Sequence, residues 1–346
     1  MNASVRDSNA FLFVPRPAYR FRNTVVPVSV DYDPTAGQNP TYGASINYYL
    51  KSAPGGEIKI RIENASGQIV RTLTGTKTAG VNRVYWDLRG EQTKEVRLRT
   101  SPAYAPEIRN GPESWRLAPD GGRISVLLPP GTYTVKLLMP GAEANASGQT
   151  LSQQLVVKKD PNSEGSEADI NAQLAMLFEL RNDLEDAANM VNQIEVIRSQ
   201  LAAITALLGP SEPANAGSAG ILPATSTQRE SPSAQAPSAD YIAIKQPASD
   251  LDKKLIDIED NLIQRRLTGQ GQDTVRWPPK LISKINYLAN GLAGADFPPT
   301  SQHREVQAML REQLTALRRR LDEVLNKDLD SFNKQLRDRN IQNVIR

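Results

Sequence analysis

Cysteine is absent from the 346 residues, and histidine occurs once, as His303. The first absence excludes disulfides, thiolate metal sites and cysteine nucleophiles. The second excludes His-rich metal centres and makes a Ser-His-Asp triad hard to build. The spacing predicts His303 in the first turn of a helix, an ordinary place for a polar residue. No apolar run approaches the roughly 20 residues of a membrane span. Met1 to Arg22 lacks the hydrophobic stretch of a signal peptide and carries Arg6, Arg16, Arg20 and Arg22 instead. Charge of one sign is also scarce: the net charge is +3. Residues 1–140 nevertheless hold 18 Lys/Arg against 11 Asp/Glu, an excess of 7. That is a mildly basic face, short of the concentrated patch of a nucleic-acid-binding protein, and no nucleic acid is expected as a partner.

What is present begins with strands. Ile58, Ile60 and Ile62 alternate with Lys59, Arg61 and Glu63, the period-2 pattern of a half-buried strand. Asn64 to Gly67 supplies turn chemistry before Ile69 to Leu73, and Ala79 to Asn82 turns the chain into Arg83 to Asp87. Strands are predicted at 26–31, 45–51, 57–63, 68–73, 82–88, 131–139 and 150–158. Seven short strands punctuated by Gly, Pro and Asn suit an immunoglobulin-like β-sandwich over residues 26–159, with a polar loop inserted at 90–128 and packed back through Trp115. Residues 1–25 read as an extended segment with one short apolar strand, lacking its neighbours.

From residue 160 the period changes. Ser166 to Asp169 reads as a capping box. Apolar residues then recur every three or four positions from Ile170 through Leu184, Val191 and Ile197 to Leu208, which predicts one long helix over 160–209. Residues 210–246, rich in Pro, Ser, Ala and Gly, are expected to be a disordered linker. The helices of 247–346 follow: one capped by Ser249, one from about Pro279 to Leu292, and a long one from Ser301 to about Leu336. Each has a single apolar stripe, so together with 160–209 they are expected to form an antiparallel helical bundle after the sandwich.

Clusters with chemical potential each have an ordinary structural reading. Asp31 and Asp33 share a side of a strand but lack the further oxygens calcium needs. Asp87 closes a strand, where side-chain-to-backbone hydrogen bonds are usual. Arg318 to Arg320 sit on a helix where Arg318 can pair with Asp322. Gly269 to Gly271 follow no strand and make no nucleotide loop. Tyr48, Tyr49, Tyr85 and Trp86 suit a core more than a sugar platform. No residue set qualifies as catalytic, cofactor-binding or metal-ligating; Tyr104 and Trp115 of the inserted loop are the candidate ligand contacts.

Two resemblances add to this reading. Gly56–Arg89, with "GQIVRTL" and "AGVNRVYWDLRG", resembles the immunoglobulin-like module of the flagellar hook-capping protein. The order of LFVPRPAYRFR (Leu12–Arg22), KEVRLR (Lys94–Arg99), LPPGTYTVKL (Leu128–Leu137), LVVKKDP (Leu155–Pro161) and PPTSQHREV (Pro298–Val306) resembles the C-terminal region of bacterial exported proteins with a sortilin-like, BNR-repeat β-propeller, often catalogued as glycosyl hydrolases. The resemblance implies a secreted or periplasmic protein and makes residues 1–25 the terminal strand of a propeller missing from this sequence, together with any activity residing there. The expected function is therefore a non-catalytic scaffold and protein-interaction region serving an upstream propeller or another protein. The alternatives are a carbohydrate-binding accessory module that contacts a surface polysaccharide, and a glycoside hydrolase, which would need two carboxylates facing each other across a cleft.

Overall fold

The computed structural model describes residues 3–22, 37, 40–102, 105, 107–140, 150–208, 239–268 and 273–346. A β-sheet region is followed by a region of long helices. The chain divides into two compact units, the first built from Met1–Lys94, Arg123–Glu185 and Ile285–Ala308, the second from Glu95–Gly122, Asp186–Lys284 and Met309–Arg346.

After a short helix α1 (Ala3–Asp7), the first unit contains β1 (Ala10–Leu12), β2 (Ala18–Arg20), β3 (Ala44–Leu50), β4 (Ile58–Glu63), β5 (Ile69–Gly75) and β6 (Gly80–Trp86). The second unit contributes β7 (Arg97–Leu98) and β8 (Arg116–Leu117), and the first resumes with β9 (Gly131–Leu138) and β10 (Thr150–Lys159). One sheet has the order β1-β3-β6, a second β2-β10-β9-β4-β5, and β7 pairs with β8 alone. Alternation drives this arrangement. Ile46, Tyr48 and Leu50 on β3, Ile58, Ile60 and Ile62 on β4, and Val135 and Leu137 on β9 are all fully buried in a core shared by the two larger sheets. Six of the expected strands coincide with observed ones to within about two residues; the expected strand 26–31 lies outside the described residues.

The N-terminal segment differs from its expectation. β1 pairs antiparallel with β3 (Leu12 opposite Tyr48), and β2 pairs parallel with β10 (Tyr19 opposite Lys158), so the strand does have neighbours in this chain. Pro15 and Pro17, which cannot donate to a ladder, separate the two short strands and let the chain pass from one sheet to the other.

Gly43, just before β3, has φ +113°, and a Cβ there would lie 2.1 Å from the Trp86 carbonyl oxygen. Gly43→Ala is expected to lower stability by at least the roughly 1–3 kcal/mol of such backbone strain, with the clash in addition; urea unfolding monitored by Trp86 fluorescence checks this.

The helices are α2 (Glu167–Leu208), α3 (Ala239–Leu262), α4 (Asp273–Arg276), α5 (Leu281–Leu292), α6 (Ser301–Glu323) and α7 (Asp330–Arg337), with a π-helical turn at Val324–Leu329 joining the last two. Ser166 caps α2 as expected: its Oγ donates to Asp169 Oδ2 at 2.6 Å and accepts from the Asp169 N–H at 3.1 Å. These bonds hold the Asp169 carboxyl below its usual range. Thr300 caps α6 in the same way, its Oγ1 accepting from the His303 N–H while His303 Nδ1 accepts from the Thr300 N–H. His303 thus sits in the first turn, where the spacing puts it. In the second unit α3 packs against the π-helical turn and α7.

One helical boundary, the start of α3, needs correction. α3 starts at Ala239, so residues 239–246 are helical and no part of a linker, and 210–238 lie outside the described residues. Ser249 is an exposed interior residue of α3, not its cap. Burial of Ile244 on the same face carries the helix through Pro247.

Candidate functional site: an arginine-lined cleft

The first unit contains a cleft of about 470 Å³, within the range of small-molecule sites. Four arginines line it: Arg22, Arg71, Arg89 and Arg123. They come from sequence positions up to a hundred residues apart, and the fold converges them by four separate devices.

Arg89 is placed by the turn after β6. The Trp86 indole is buried edge-to-face against Tyr133 at 5.1 Å, and its Nε1 donates to the Arg89 carbonyl at 2.9 Å. Asp87 Oδ1 accepts from the Arg89 N–H at 3.1 Å. Between them Leu88 adopts φ +59° and is fully buried, its carbonyl accepting from the Leu128 N–H. A non-glycine residue in this region carries strain, here offset by burial of Leu88. The consequence is geometric: Leu88 points into the core while Asp87 and Arg89 line the cleft. Arg89 then donates to the Ser125 carbonyl at 2.7 Å.

Arg71 projects from β5 and donates to the Gly90 carbonyl at 3.0 Å, with Glu91 at 3.8 Å; its Nε is buried with no hydrogen-bond partner. Arg123 donates through Nε to the Thr93 carbonyl at 2.9 Å. Buried Thr93 returns a bond by accepting from the Ile124 N–H, which ties the two cleft-lining segments together.

Arg22 is the most constrained. It donates to Asp296 Oδ1 at 2.9 Å, to Gln173 Oε1 at 2.6 Å and to the Ala293 carbonyl. Asp296, only 8% exposed, also accepts from Arg20 at 2.7 Å and from Ser163 at 3.0 Å. Burial pushes the Asp296 carboxyl up, but the hydrogen bond and charge of Arg20, with the charge of Arg22, more than reverse this and hold it below the usual range. Burial lowers the Arg22 guanidinium against the opposing pull of Asp296. Buried Gln173 on α2 fixes the chain beyond α5, donating to the Leu292 carbonyl at 2.8 Å.

The chemistry of the cleft is therefore lopsided. Among the described residues of the wall, four permanently charged, donor-only side chains accompany one carboxylate, Asp87; Arg22 also pairs with Asp296, and Arg71 lies 3.8 Å from Glu91. Gln92, Ser125 and Asn290 add groups that both donate and accept, while Ile124, Val126 and Leu177 supply apolar wall. Such a site can hold an anion with a carbon body.

Of the residues weighed from sequence, Asp87 lines the cleft and Trp115 does not. Trp115 belongs to the second unit, with the Arg97 guanidinium 4.4 Å from its ring centroid and Nε1 donating to Glu113 at 2.8 Å. Tyr104, Asp31, Asp33 and Gly269 to Gly271 lie outside the described residues. Nor is Trp115 the anchor of the 90–128 segment. α2 holds that segment by its backbone: Asn192 accepts from the Arg97 N–H at 2.7 Å, and Glu195 accepts from the Thr100 N–H and Oγ1, both at 2.8 Å. Tyr48 and Trp86 are core, whereas Tyr85 is 38% exposed. Asp87 closes its strand as expected. Arg318 pairs with Asp186 at 3.5 Å in place of Asp322, because a carboxylate on α2 lies within reach. The four cleft arginines follow no motif; their one sequence signal is the basic excess of residues 1–140.

The second unit has its own buried charges. Glu195 and Glu259, each 1% exposed, meet at Arg198, which donates to them at 2.6 and 2.8 Å and to Asp252 at 2.8 Å. Arg265 reaches Glu259 at 3.1 Å. Burial, then the neighbouring Glu195 charge, push Glu259 well above its usual range. Burial opposes the Arg198 charge, but Glu259, Glu195 and Asp252 together raise its pKa. The void beside the two glutamates is about 10 Å³, room for about one water and none for a sugar ring.

Among the described residues no group of three His, Asp or Glu is placed to hold a metal ion, and no helix is long and apolar enough to cross a membrane. The chain matches no protein-family model, no curated protein and no solved structure.

Proposed function

We propose that this chain is a non-catalytic binding and scaffold region whose first unit captures an anionic group in the arginine-lined cleft. The observation that carries this is the convergence of Arg22, Arg71, Arg89 and Arg123 on one cavity in whose wall Asp87 is the one carboxylate among the described residues. Four guanidiniums brought together repel one another, and an anion relieves that repulsion. The scaffold part rests on the charge clusters around Asp296 and Arg198, whose polar groups are engaged in tying helices to loops.

The finer architecture belongs to the same proposal. An immunoglobulin-like sandwich is supported by the two sheet orders, by the first strand passing between sheets, and by Tyr133, whose hydroxyl donates at 2.7 Å to the Pro129 carbonyl four residues upstream, in the manner of a tyrosine corner. The long helices would form the antiparallel bundle expected from their stripes. With β1 and β2 paired inside this chain, service to an upstream propeller has lost its orphan-strand support, so the partner is better sought by its charge.

Calorimetric titration of citrate at low salt tests the reading. Micromolar to millimolar binding is expected, weakening with salt as exposed charges are screened. Arg89→Ala combined with Arg123→Ala should weaken it about 10-fold or more, since a hydrogen bond to a charged group contributes about 1.5–3 kcal/mol. No binding of citrate, or binding indifferent to the double substitution, overturns the assignment.

A further inference from the structure

We infer that the anion taken by the cleft is a sugar acid, a ring bearing both a carboxylate and hydroxyl groups; this rests on the anion-binding reading above. Three features of the cleft point to it. First, at about 470 Å³ the space is far larger than a compact inorganic anion requires, and it suits a ligand of one or two rings. Second, the wall is not purely cationic. Asp87 is an acceptor-only group among the arginines, and Ser125, Gln92 and Asn290 can accept as well as donate. Sulfate offers the arginines acceptors but has no proton to donate to Asp87, and hydrogen phosphate has only one or two, while the Asp87 charge repels both. A sugar acid satisfies both halves: its carboxylate receives guanidinium N–H bonds, and its hydroxyls donate to Asp87 and the neutral polar groups. Third, Ile124, Val126 and Leu177 give the C–H face of a ring an apolar surface, which a small inorganic anion would leave unfilled.

Asp87 is then the specificity residue. Its side chain already accepts from the Arg89 N–H, a bond that asparagine can retain through its own Oδ1, so Asp87→Asn preserves the turn while removing the charge. Like-charge exclusion and hydrogen-bond acceptance are the two means by which one carboxylate can separate these ligand classes.

The experiment is calorimetric titration of the full chain at low salt with digalacturonate, the corresponding neutral disaccharide, and inorganic phosphate. Digalacturonate is expected to bind at least about 10-fold more tightly than either of the others. Asp87→Asn should reduce that preference over phosphate by about 10-fold or more, by weakening the sugar acid and strengthening phosphate. Asn290→Ala, at an exposed helical position, should weaken digalacturonate and leave phosphate unchanged. If phosphate binds as well as digalacturonate, or if Asp87→Asn tightens both alike, the sugar-acid inference falls and the anion-binding reading stands. If the neutral disaccharide binds equally, or if none of the three and no citrate binds, both fall.

Discussion

Asp296→Ala should destabilise the first unit by about 3–5 kcal/mol, the penalty for leaving a buried cation without its partner. Arg20 is 1% exposed, and of its three nitrogens Nε reaches the Leu128 carbonyl, one terminal nitrogen reaches Asp296 and the other has no partner. Removing the carboxylate leaves a guanidinium that can neither reach water nor give up its proton. It also frees Arg22 from its strongest contact and Ser163 from its acceptor. The three tryptophans allow a clean measurement, because Trp86 lies in the first unit and Trp115 and Trp277 in the second. In a Trp115→Phe, Trp277→Phe background, urea unfolding followed by fluorescence reports the first unit alone. A pH series adds a second check. The Asp296 carboxyl is held below its usual range, so its stabilisation is present above the ordinary carboxylate pKa of about 3.9. It is lost as pH falls toward the depressed folded value, and Asp296→Ala should flatten that acid limb. A loss under about 1 kcal/mol, or an unchanged acid limb, would show that Arg20 is solvated and the clamp incidental.

Arg198→Met should be comparably damaging to the second unit, by about 3–5 kcal/mol near neutral pH. Methionine fills the volume but strands Glu195 and Glu259, each 1% exposed, beside one another. The pH dependence runs opposite to that of Asp296. Glu259 is pushed above its usual range, so its contribution to stability is fully present below the unfolded glutamate pKa of about 4.3 and is lost as pH rises through the folded value. The native second unit should therefore weaken toward alkaline pH, and Glu259→Gln should flatten that decline and raise the thermal midpoint above neutrality. The deficit of Arg198→Met should shrink at low pH, where Glu259 is protonated. Thermal unfolding from pH 4 to 9, read through Trp115 and Trp277, decides this; a deficit independent of pH would place the loss in packing and not in stranded charge.

Most of the secondary structure was legible because it rests on local periodicity. Alternating Ile58, Ile60 and Ile62 could make only a half-buried strand, and all three are fully buried. The spacing from Ile170 to Leu201 predicts the buried face of α2, and only its end, at Ile204 and Leu208, is partly exposed. Ser166 and Asp169 announced the cap that the hydrogen bonds then make. Boundaries are less legible where one residue type carries two meanings: Ser249 suits a helix cap, yet sits inside α3.

The cleft was not legible. Arg22 follows an edge strand, Arg71 lies on β5, Arg89 follows a left-handed turn at Leu88, and Arg123 leads back from the second unit's insertion. Nothing in the spacing of four arginines across a hundred residues brings them together; sheet pairing and the Thr93–Ile124 bond do. Local sequence specifies the elements and their buried faces, because these depend on residues a few positions apart, and composition excludes thiol chemistry. The pairing of β1 and β2 within this chain, the buried carboxylates at Arg198 and the gathering of positive charge into one cavity were decided by tertiary structure, because each depends on contacts between segments that periodicity cannot relate.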